Sequence, residues 1–263
     1  MSRSFTFSHA ICRSPASSSV NGLRAVDTGT PDLDLFRTHH TNYVAALRST
    51  GATVTVLNAL EDYPDSVFVE DSALCLREGA IAMRPGAPSR LGEAAEMAPT
   101  LAQFYDTVAQ IDAPGFIEGG DILVTEREIL VGKSARTDTA GVAALRSIVS
   151  DWGYKVTELQ TPPGVLHFKT DCSLMDEETI LSTKRLDASG CFADYRVIHT
   201  EDGEEACANS IRFNDLVLMP AGYPRTAEKL DRAGYNVREI GNSEAMKLDG
   251  GLSCLSLRFT PEG

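Results

Sequence analysis

The chain has 263 residues, of which 43% are hydrophobic and 23% are charged, a composition typical of a soluble globular protein with a sizeable core. Its 24 Lys and Arg residues against 37 Asp and Glu residues give a formal net charge of −13. This charge excludes the broad basic surface that nucleic acids or anionic membranes require. It is compatible with a small cationic substrate.

Membrane, secreted and zinc-binding proteins are not indicated either. No apolar run approaches the roughly 20 residues of a membrane-spanning helix, and the amino-terminal segment lacks the continuous apolar stretch of a secretory signal. The six cysteines contain no Cys-x-x-Cys pair, which argues against a zinc site or a disulfide framework. Those at 75, 172 and 207 lie in apolar runs and are assigned to the core. We therefore expect a cytoplasmic protein.

A repeated pattern of elements runs along the chain. Gly-x-x-Val-x-x-(Leu/Ile) occurs at 51–57, 153–159 and 234–240, each time after a helical segment. The glycine suits a helix end with positive φ, and the residues after it alternate as in a strand. Helix starts are predicted at 86–90, 132–137 and 222–226, preceded by pairs of β-rich runs at 66–84, 121–132 and 206–219. The repeated unit is strand, strand, helix, strand.

Five copies of this unit can be placed on the sequence. The fourth, with a weak helix, covers 166–200. The fifth is split: its helix and last strand lie near 31–57, and strands near 5–12 and 252–259 form its hairpin. Modules that bring both termini into one unit predict a closed ring. We therefore predict an α/β fold, a five-bladed propeller of ββαβ modules with pseudo-fivefold symmetry, in a single domain over residues 1–263.

Acidic residues, one histidine and one cysteine mark the candidate site. Residues 65–71 are predicted as a strand that ends in two adjacent acids, and Glu118 and Asp121 flank a Gly-Gly pair. Acids beside apolar strands are costly unless they are solvated or paired, which points to a cation-binding site. Cys254 follows another Gly-Gly pair and is the candidate nucleophile. His167, in a strand-like run, is the candidate acid and base, although a lone buried cysteine or histidine is more often a core residue.

The ordered motifs around these residues resemble the dimethylarginine dimethylaminohydrolase family of the guanidine-modifying (pentein) superfamily. The motifs are DSVFVED at 65–71, RPGAPSR at 84–90, EGGD at 118–121, SART at 134–137, LHFK at 166–169 and DGGLSC at 249–254. They span nearly the whole chain. Their order is far more specific than any single motif.

This resemblance implies a fold, an activity and residue roles. The fold is the fivefold α/β propeller, in agreement with the repeat. The activity is hydrolysis of Nω-methylated and Nω,Nω-dimethylated L-arginine to L-citrulline plus methylamine or dimethylamine, through an S-alkylthiouronium intermediate on Cys254 and without cofactor or metal. The implied catalytic residues are Cys254, His167 and Glu118. The implied substrate-binding residues are Leu23, Asp65, Glu70, Asp71, Arg90, Arg136, Leu248 and Asp249.

The chemistry of a methylated arginine fits these residue types. Its guanidinium is planar and protonated, so the carboxylates of Asp71 and Glu118 can bind its N–H groups and hold the plane for attack by a thiolate. Its α-carboxylate calls for a cation, and the guanidinium forks of Arg90 and Arg136 match that geometry. The expected partner is therefore a small-molecule substrate, and the protein is expected to be a monomer or a homodimer.

Three other functions stay open on the sequence: arginine deiminase, amidinotransferase and a non-catalytic arginine-binding protein. In deiminases and amidinotransferases, as the family pattern goes, an aspartate stands two residues after the catalytic histidine. This chain has Lys169 at that position. If Lys169 lies outside the pocket, the site lacks one carboxylate for N–H groups, and a methylated nitrogen is favoured over an unmethylated one.

Overall fold

Five three-stranded sheets carry the fold, and each is one copy of the predicted repeat. In the computed structural model, which describes residues 4–262, each sheet contains an antiparallel pair and a third strand parallel to the central one. A helix connects the two parallel strands in every sheet, because parallel neighbours cannot be joined by a tight turn. The prediction of ββαβ modules is confirmed.

Strands and helices are numbered in chain order. The strands are β1 (His9–Arg13), β2 (Thr53–Leu57), β3 (Ala73–Cys75), β4 (Ala80–Ala82), β5 (Val108–Gln110), β6 (Ile122–Val124), β7 (Ile129–Lys133), β8 (Val156–Gln160), β9 (Cys172–Leu174), β10 (Thr179–Ser182), β11 (Arg196–His199), β12 (Ile211–Phe213), β13 (Leu216–Pro220), β14 (Asn236–Ile240) and β15 (Leu257–Phe259). The α-helices are α1 (Leu33–Arg48), α2 (Glu93–Leu101), α3 (Thr139–Ser150), α4 (Lys184–Asp187), α5 (Pro224–Arg232) and α6 (Ser243–Met246).

One blade closes the ring, because it is formed from both ends of the chain. β15 pairs antiparallel with β1, with His9 opposite Phe259, and β1 pairs parallel with β2, with His9 opposite Thr53. The other sheets are β3-β4-β5, β6-β7-β8, β9-β10-β11 and β12-β13-β14. The split unit predicted near 5–12, 31–57 and 252–259 is therefore confirmed. The protein is a five-bladed α/β propeller with pseudo-fivefold symmetry.

Local sequence explains where the helices begin and end. α1 starts after Asp32, whose carboxylate accepts two backbone N–H groups at 3.0 Å, and is followed by Gly51 with φ of 88°. α3 begins at Thr139, later than the predicted start at 132–137, because Lys133 still belongs to β7 and Asp138 is the capping residue. α5 begins within the predicted 222–226.

Hydrophobic clusters fill the spaces between neighbouring blades. One cluster packs Ile81 of β4 against Ile122 of β6 and Leu145 of α3. Another packs Leu181 of β10 against Val217 of β13. Burial of apolar side chains therefore joins each blade to the next. Within residues 4–262, no helix combines the length and hydrophobicity needed to cross a bilayer.

Each ββαβ module begins with one strand of the antiparallel pair, and we call these strands, β3, β6, β9, β12 and β15, the first strands. A short 3-10 turn precedes each of them, and we call these turns the central turns. They are Val69–Ser72, Gly119–Asp121, Phe168–Thr170, Glu205–Ala208 and Ser253–Leu255. Neighbouring turns around the ring contact one another: Val69–Ser72 touches both Ser253–Leu255 and Gly119–Asp121, and Phe168–Thr170 touches both Gly119–Asp121 and Glu205–Ala208. The first strands thus bring their amino-terminal ends together at one place.

The central turns correct two predictions of local structure. Residues 65–71 form a turn and a 3-10 helix instead of a strand, and His167 stands at the start of a 3-10 helix instead of within a strand. The reason is the close packing of the turns: a Cβ on Gly119 would lie 1.9 Å from the carbonyl oxygen of Glu70. Tertiary contact between blades therefore decides the backbone here, and alternation in the sequence does not.

Tyr43 connects α1 to the segment that carries Cys254. Its hydroxyl donates to the carbonyl oxygen of Leu252 at 2.9 Å and is hydrogen-bonded to Ser256 Oγ at 2.7 Å. The side chain is fully buried. An unpartnered polar group at this depth is costly, so these bonds stabilise the fold.

We expect Tyr43→Phe to lower the free energy of unfolding by about 1–3 kcal/mol, because the carbonyl of Leu252 loses its donor. Urea denaturation followed by circular dichroism measures the change. Tyr154→Phe is the matched control: its hydroxyl donates to the half-buried Glu78 at 2.9 Å, and its loss should cost less than about 1 kcal/mol. Equal losses in the two variants would contradict the prediction.

Candidate active site

A narrow pocket opens where the central turns meet. It gathers residues from six separate stretches of the chain. Its lining consists of Leu23, Asp65, Phe68, Asp71, Arg90, Arg136, Leu166, His167, Leu248, Asp249, Gly250 and Cys254. Of the eleven site residues predicted from the sequence, nine line this pocket, and Glu118 lies directly behind His167.

Cys254 lies in the central turn Ser253–Leu255, held close to its surroundings by the preceding glycines. A Cβ on Gly250 would lie 2.2 Å from the ring of Phe68, and one on Gly251 would lie 2.1 Å from the amide group of Asn209. That amide accepts the N–H of Ser253 at 2.9 Å. Only glycine permits this approach, so the Gly-Gly pair fixes the position of the thiol.

The thiol of Cys254 lies in a strongly unfavourable setting for a thiolate. Burial and the negative charges of Asp71 and Glu70 raise the pKa of Cys254 from 9.0 to about 12. The N–H of Gly251 and the ammonium of Lys169 act in the opposite direction. The thiol is therefore protonated at neutral pH in the free protein.

His167 and Glu118 form a buried pair behind the pocket. Nε2 of His167 lies 2.7 Å from Oε2 of Glu118 and 3.9 Å from Oδ1 of Asp71. Burial alone lowers the pKa of His167, but the carboxylates of Asp71, Glu118 and Asp121 outweigh burial and raise this pKa to about 9. Burial likewise raises the pKa of Glu118, and His167, Arg90 and Arg136 outweigh it and lower this pKa. His167 is therefore an imidazolium at neutral pH and can donate a proton.

Asp71 is held by two donors and faces the same pocket. Its Oδ1 accepts the N–H of Gly120 at 2.9 Å, and its Oδ2 accepts from Arg90 at 2.6 Å. Arg90 is itself buried and also binds Glu93, through Nε to Oε1 at 3.0 Å and through NH2 to Oε2 at 2.7 Å. Its NH2 donates to the carbonyl oxygen of Phe68 as well, at 2.9 Å. The guanidinium of Arg90 is thus occupied by protein acceptors.

Arg136 is the more accessible cation of the pocket. Its side chain is 19% exposed, against 5% for Arg90, and its NH1 donates to Oε1 of Glu118 at 3.2 Å. The same oxygen accepts the N–H of Gly86 at 3.0 Å. Arg136 therefore keeps donors that a bound anion can reach.

The segment after Gly22 covers the other side of the pocket. The N–H of Leu23 donates to Asp65 Oδ1 at 2.9 Å, and the N–H of Ala25 donates to Asp249 Oδ2 at 2.6 Å. Burial raises the pKa of Asp65. Asp249 has φ of 58°, in the left-handed region, at the start of the Gly-Gly turn. These two carboxylates hold the segment against the pocket.

Glu70 and Lys169 both lie outside the pocket, although only Glu70 was expected to contact the substrate. Glu70, predicted as a substrate-binding residue, does not line the pocket: it lies beneath it, 2.5 Å from Lys169 Nζ. Adjacent residues of a 3-10 turn point in different directions, so Asp71 faces the pocket and Glu70 does not. Lys169 also lies outside the pocket, as the substrate argument requires. Asp121 supports the site by accepting from the Ser134 hydroxyl at 2.6 Å and the Phe168 N–H at 2.8 Å.

Three supporting residues were missed in the sequence. Glu93 binds Arg90, Asn209 binds the turn of Cys254, and Arg258 binds Glu70. Two signals could have found the charged ones: an acid three residues after an arginine at a helix start, and an arginine inside the apolar run LSLRF. Asn209 carries no comparable signal.

Ligand atoms of Asp71, Glu118 and His167 lie within 4.8 Å of one another, the spacing of a metal site. Each of the three is engaged by a protein partner: Asp71 by Arg90, and Glu118 and His167 by each other. A cation would have to displace these contacts. We therefore assign no metal to the cluster.

Known proteins are similar to this chain in sequence and in fold. A family model described as "N,N dimethylarginine dimethylhydrolase, eukaryotic" matches residues 33–175. The chain is 40% identical over 254 residues to the N(G),N(G)-dimethylarginine dimethylaminohydrolase of Pseudomonas aeruginosa, covering 96% of this chain and 100% of that protein. The chain belongs to the dimethylarginine dimethylaminohydrolase family. The resemblance inferred from the motifs is confirmed.

Solved structures agree with the family assignment. A cysteine-to-serine variant of the P. aeruginosa family member, in complex with citrulline, matches with a TM-score of 0.94 at 40% identity, over 97% of this chain and 100% of that one. The product-bound amino-terminal domain of ArgZ, a cyanobacterial arginine dihydrolase, matches with a TM-score of 0.83 at 19% identity, over 96% and 98% of the two chains. The second match shows only that the fold is shared.

The raised pKa of His167 leads to a prediction about Glu118. Because that pKa exceeds the ordinary 6.5, protonation of His167 stabilises the folded state fully below about pH 6.5, and this contribution is lost as the pH rises through about 9. Glu118→Gln removes one of the charges responsible. We expect this substitution to lower the pKa of His167 by about one to three pH units. Protonation of His167 would then cease to stabilise the folded state at a lower pH than in the unmodified protein.

Titration of the imidazole signals by NMR measures the pKa of His167 directly. His199, on the edge strand β11 and paired with Asp187, supplies the reference imidazole signals, whose chemical shifts at a fixed pH should be the same in both proteins. An unchanged pKa of His167 in the Glu118→Gln variant would show that Glu118 does not sustain its protonation.

Proposed function

We propose that the protein hydrolyses Nω-methylated and Nω,Nω-dimethylated L-arginine to L-citrulline and methylamine or dimethylamine. The observation that carries this proposal is the convergence of the Cys254 thiol, the His167–Glu118 pair and the Asp71 carboxylate on one pocket. The similar P. aeruginosa structure holds citrulline. These groups are the ones needed to bind a guanidinium and cleave one of its C–N bonds.

In the proposed reaction, the carboxylates of Asp71 and Glu118 recognise the guanidinium. Asp71 faces the pocket with lone pairs that accept N–H groups, and its position is fixed by Arg90. Charge-assisted hydrogen bonds of this kind orient the guanidinium plane, so that its central carbon presents a face to Cys254. Glu118 contributes negative charge behind His167.

In the first half-reaction the Cys254 thiolate forms a bond to the guanidinium carbon. The bound cation lowers the cost of the thiolate, which offsets the raised pKa of the thiol, and the thiol proton leaves to solvent. The C–N bond to the methylated nitrogen then breaks. The His167 imidazolium donates its proton to that nitrogen, and the amine leaves an S-alkylthiouronium on Cys254.

In the second half-reaction water attacks the same carbon. His167, now neutral, takes a proton from the water, a C–O bond forms and the C–S bond breaks. Citrulline leaves, the second proton of the attacking water passes to the departing sulfur, and the Cys254 thiol and His167 imidazolium of the free protein are restored. The atoms balance with water as the only co-substrate.

At the other end of the substrate, Arg136 is the better candidate for the α-carboxylate. It has exposed donors, whereas Arg90 is occupied by Asp71 and Glu93. We therefore propose that Arg136 binds the carboxylate and that Arg90 positions Asp71. Leu23, Asp65, Leu248 and Asp249 line the remaining wall of the pocket and would surround the amino-acid end.

Incubation with asymmetric dimethylarginine should yield citrulline and dimethylamine. In the Cys254→Ser variant we expect turnover to fall by more than about a thousandfold while the fold is kept, because a hydroxyl is far less acidic than a thiol. Cys172→Ser, at a buried cysteine of β9, is the control and should stay active. Undiminished citrulline formation by the Cys254→Ser variant would contradict the assignment of Cys254 as the nucleophile.

Transfer of the amidino group to an added amine, instead of citrulline formation, would identify the protein as an amidinotransferase.

Substrate preference separates the proposal from an arginine deiminase. Lys169 is directed to Glu70 and away from the pocket, so no carboxylate occupies the position where deiminases are expected to bind a further N–H group. A methylated nitrogen has fewer N–H donors, so in a site without that carboxylate it leaves no buried acceptor unpaired and its binding is not weakened on that account. We expect kcat/KM for monomethylarginine and asymmetric dimethylarginine to exceed that for arginine by about tenfold or more. A preference for arginine would establish the deiminase activity.

A further inference from the structure

Three charged side chains, Glu70, Lys169 and Arg258, lie together outside the pocket of Cys254. Glu70 Oε1 is 2.5 Å from Lys169 Nζ and 2.5 Å from Arg258 NH2. Glu70 and Lys169 are buried, and the side chain of Arg258 is 14% exposed. All three line one partly open cavity of about 130 Å³, which strands β3, β6, β9, β12 and β15 also line, and none of them lines the pocket of Cys254. We call them the basal ion cluster.

Each member of the basal ion cluster lies in, or donates a hydrogen bond to, a turn that carries or adjoins a group of the proposed reaction. Glu70 directly precedes Asp71, and Lys169 follows His167 by two residues. Arg258 reaches the turn of Cys254, because its NH1 donates to the carbonyl oxygen of Ser253 at 2.8 Å. The cluster therefore connects the nucleophile, the acid and base, and the guanidinium-binding acid from below.

The charges of the cluster do not cancel. One carboxylate lies between two cations, which gives a net charge of +1 beneath a pocket whose own carboxylates disfavour a thiolate. Charges in a protein interior are screened less than in water, so a single charge placed there changes the ionisation of its neighbours.

We infer that Glu70, Lys169 and Arg258 are positioning residues that hold the three turns together and supply the positive charge that keeps Cys254 ionisable. This inference rests on the proposed function, since it takes Cys254 as the nucleophile. Glu70 raises the pKa of Cys254 and Lys169 lowers it, in agreement with the signs of their charges.

Other charged groups also face Cys254 and stay constant in the test. In the pocket these are Asp65, Asp71, Arg90, Arg136, His167 and Asp249. Glu118 lies behind His167. None of them is altered by substitution of Glu70 or Lys169, so a change in thiol reactivity reports the basal ion cluster.

The test is the rate at which iodoacetamide alkylates Cys254 at about pH 8, read by mass spectrometry of the peptide that contains it. The reagent is neutral, and the reaction forms an S–C bond with loss of iodide. At this pH the rate follows the thiolate fraction, and one pKa unit changes it about threefold after the loss of nucleophilicity is included.

The two single substitutions have opposite expected signs. Lys169→Met reduces the cluster to zero net charge, so alkylation should slow by about threefold or more. Glu70→Gln raises it to +2, so alkylation should accelerate by a similar factor. The double variant returns to +1 and should react within about twofold of the unmodified protein. Arg225→Met is the matched control: it also removes a cation paired with a buried glutamate, Glu204, but neither residue belongs to the basal ion cluster or lines the pocket of Cys254, so the rate should stay unchanged.

Loss of packing would produce a different result. A loosened turn changes the rate in the same direction in both single variants, and that outcome, or two unchanged rates, would overturn the inference. A double variant no closer to the unmodified protein than the single ones would overturn it as well. The expected change in alkylation rate is a decrease for Lys169→Met and an increase for Glu70→Gln. If one of these variants fails to fold, the direction of the change in the other still tests the inference. Alkylation needs no turnover, so the result is independent of whether dimethylarginine is the substrate.

Discussion

The close approach of the central turns is the constraint on which the rest of the structure depends. Five sheets point the amino-terminal ends of their first strands at one axis, and glycine allows the turns before these strands to touch: Gly119 lies against the backbone of Glu70. Side chains from distant parts of the sequence thereby reach hydrogen-bonding distance, as His167 and Glu118 do at 2.7 Å. A charge buried at such a junction is largely removed from water, so it needs a partner of opposite charge or a hydrogen bond.

The ion pairs of the junction satisfy this need. Asp71 is paired with Arg90, Glu118 with His167 and Arg136, and Glu70 with Lys169 and Arg258. Removal of one member leaves its partner charged and buried, which is far more costly than the pair itself is stabilising. The pairs of Glu118 with His167 and of Glu70 with Lys169 and Arg258 connect different blades, whereas the pairs of Asp71 with Arg90 and of Glu118 with Arg136 each lie within one blade. Together these contacts influence the ionisation of the groups in the proposed reaction. The fold and the chemistry of this protein depend on one set of interactions.

Much of this could be predicted from the sequence, because the repeat is local. Each ββαβ unit carries its own helix cap and turn glycine, such as Asp32 and Gly51, and the two termini complete one unit. What could not be predicted is decided between blades. Alternation over 65–71 suggested a strand, but packing against Gly119–Asp121 produces a 3-10 turn. Consequently the sequence could not tell which of the adjacent acids faces the pocket, nor that the guanidinium of Arg90 is already occupied by Glu93.

The raised pKa of the Cys254 thiol has a consequence for the proposed reaction, because it is caused in part by the carboxylate of Asp71. A rise from 9.0 to about 12 corresponds to roughly 4 kcal/mol against ionisation in the free protein. The acids responsible include Asp71, the same group that is placed to bind a guanidinium. Under the proposed function, a bound guanidinium would offset the charge that opposes the thiolate, so Cys254 would become ionisable when its target is in place. A neutral molecule in the same pocket brings no such compensation. In the proposed reaction, selectivity for a cationic substrate would therefore arise in the ionisation of the Cys254 thiol as well as in binding, because the carboxylate of Asp71 lies beside that thiol.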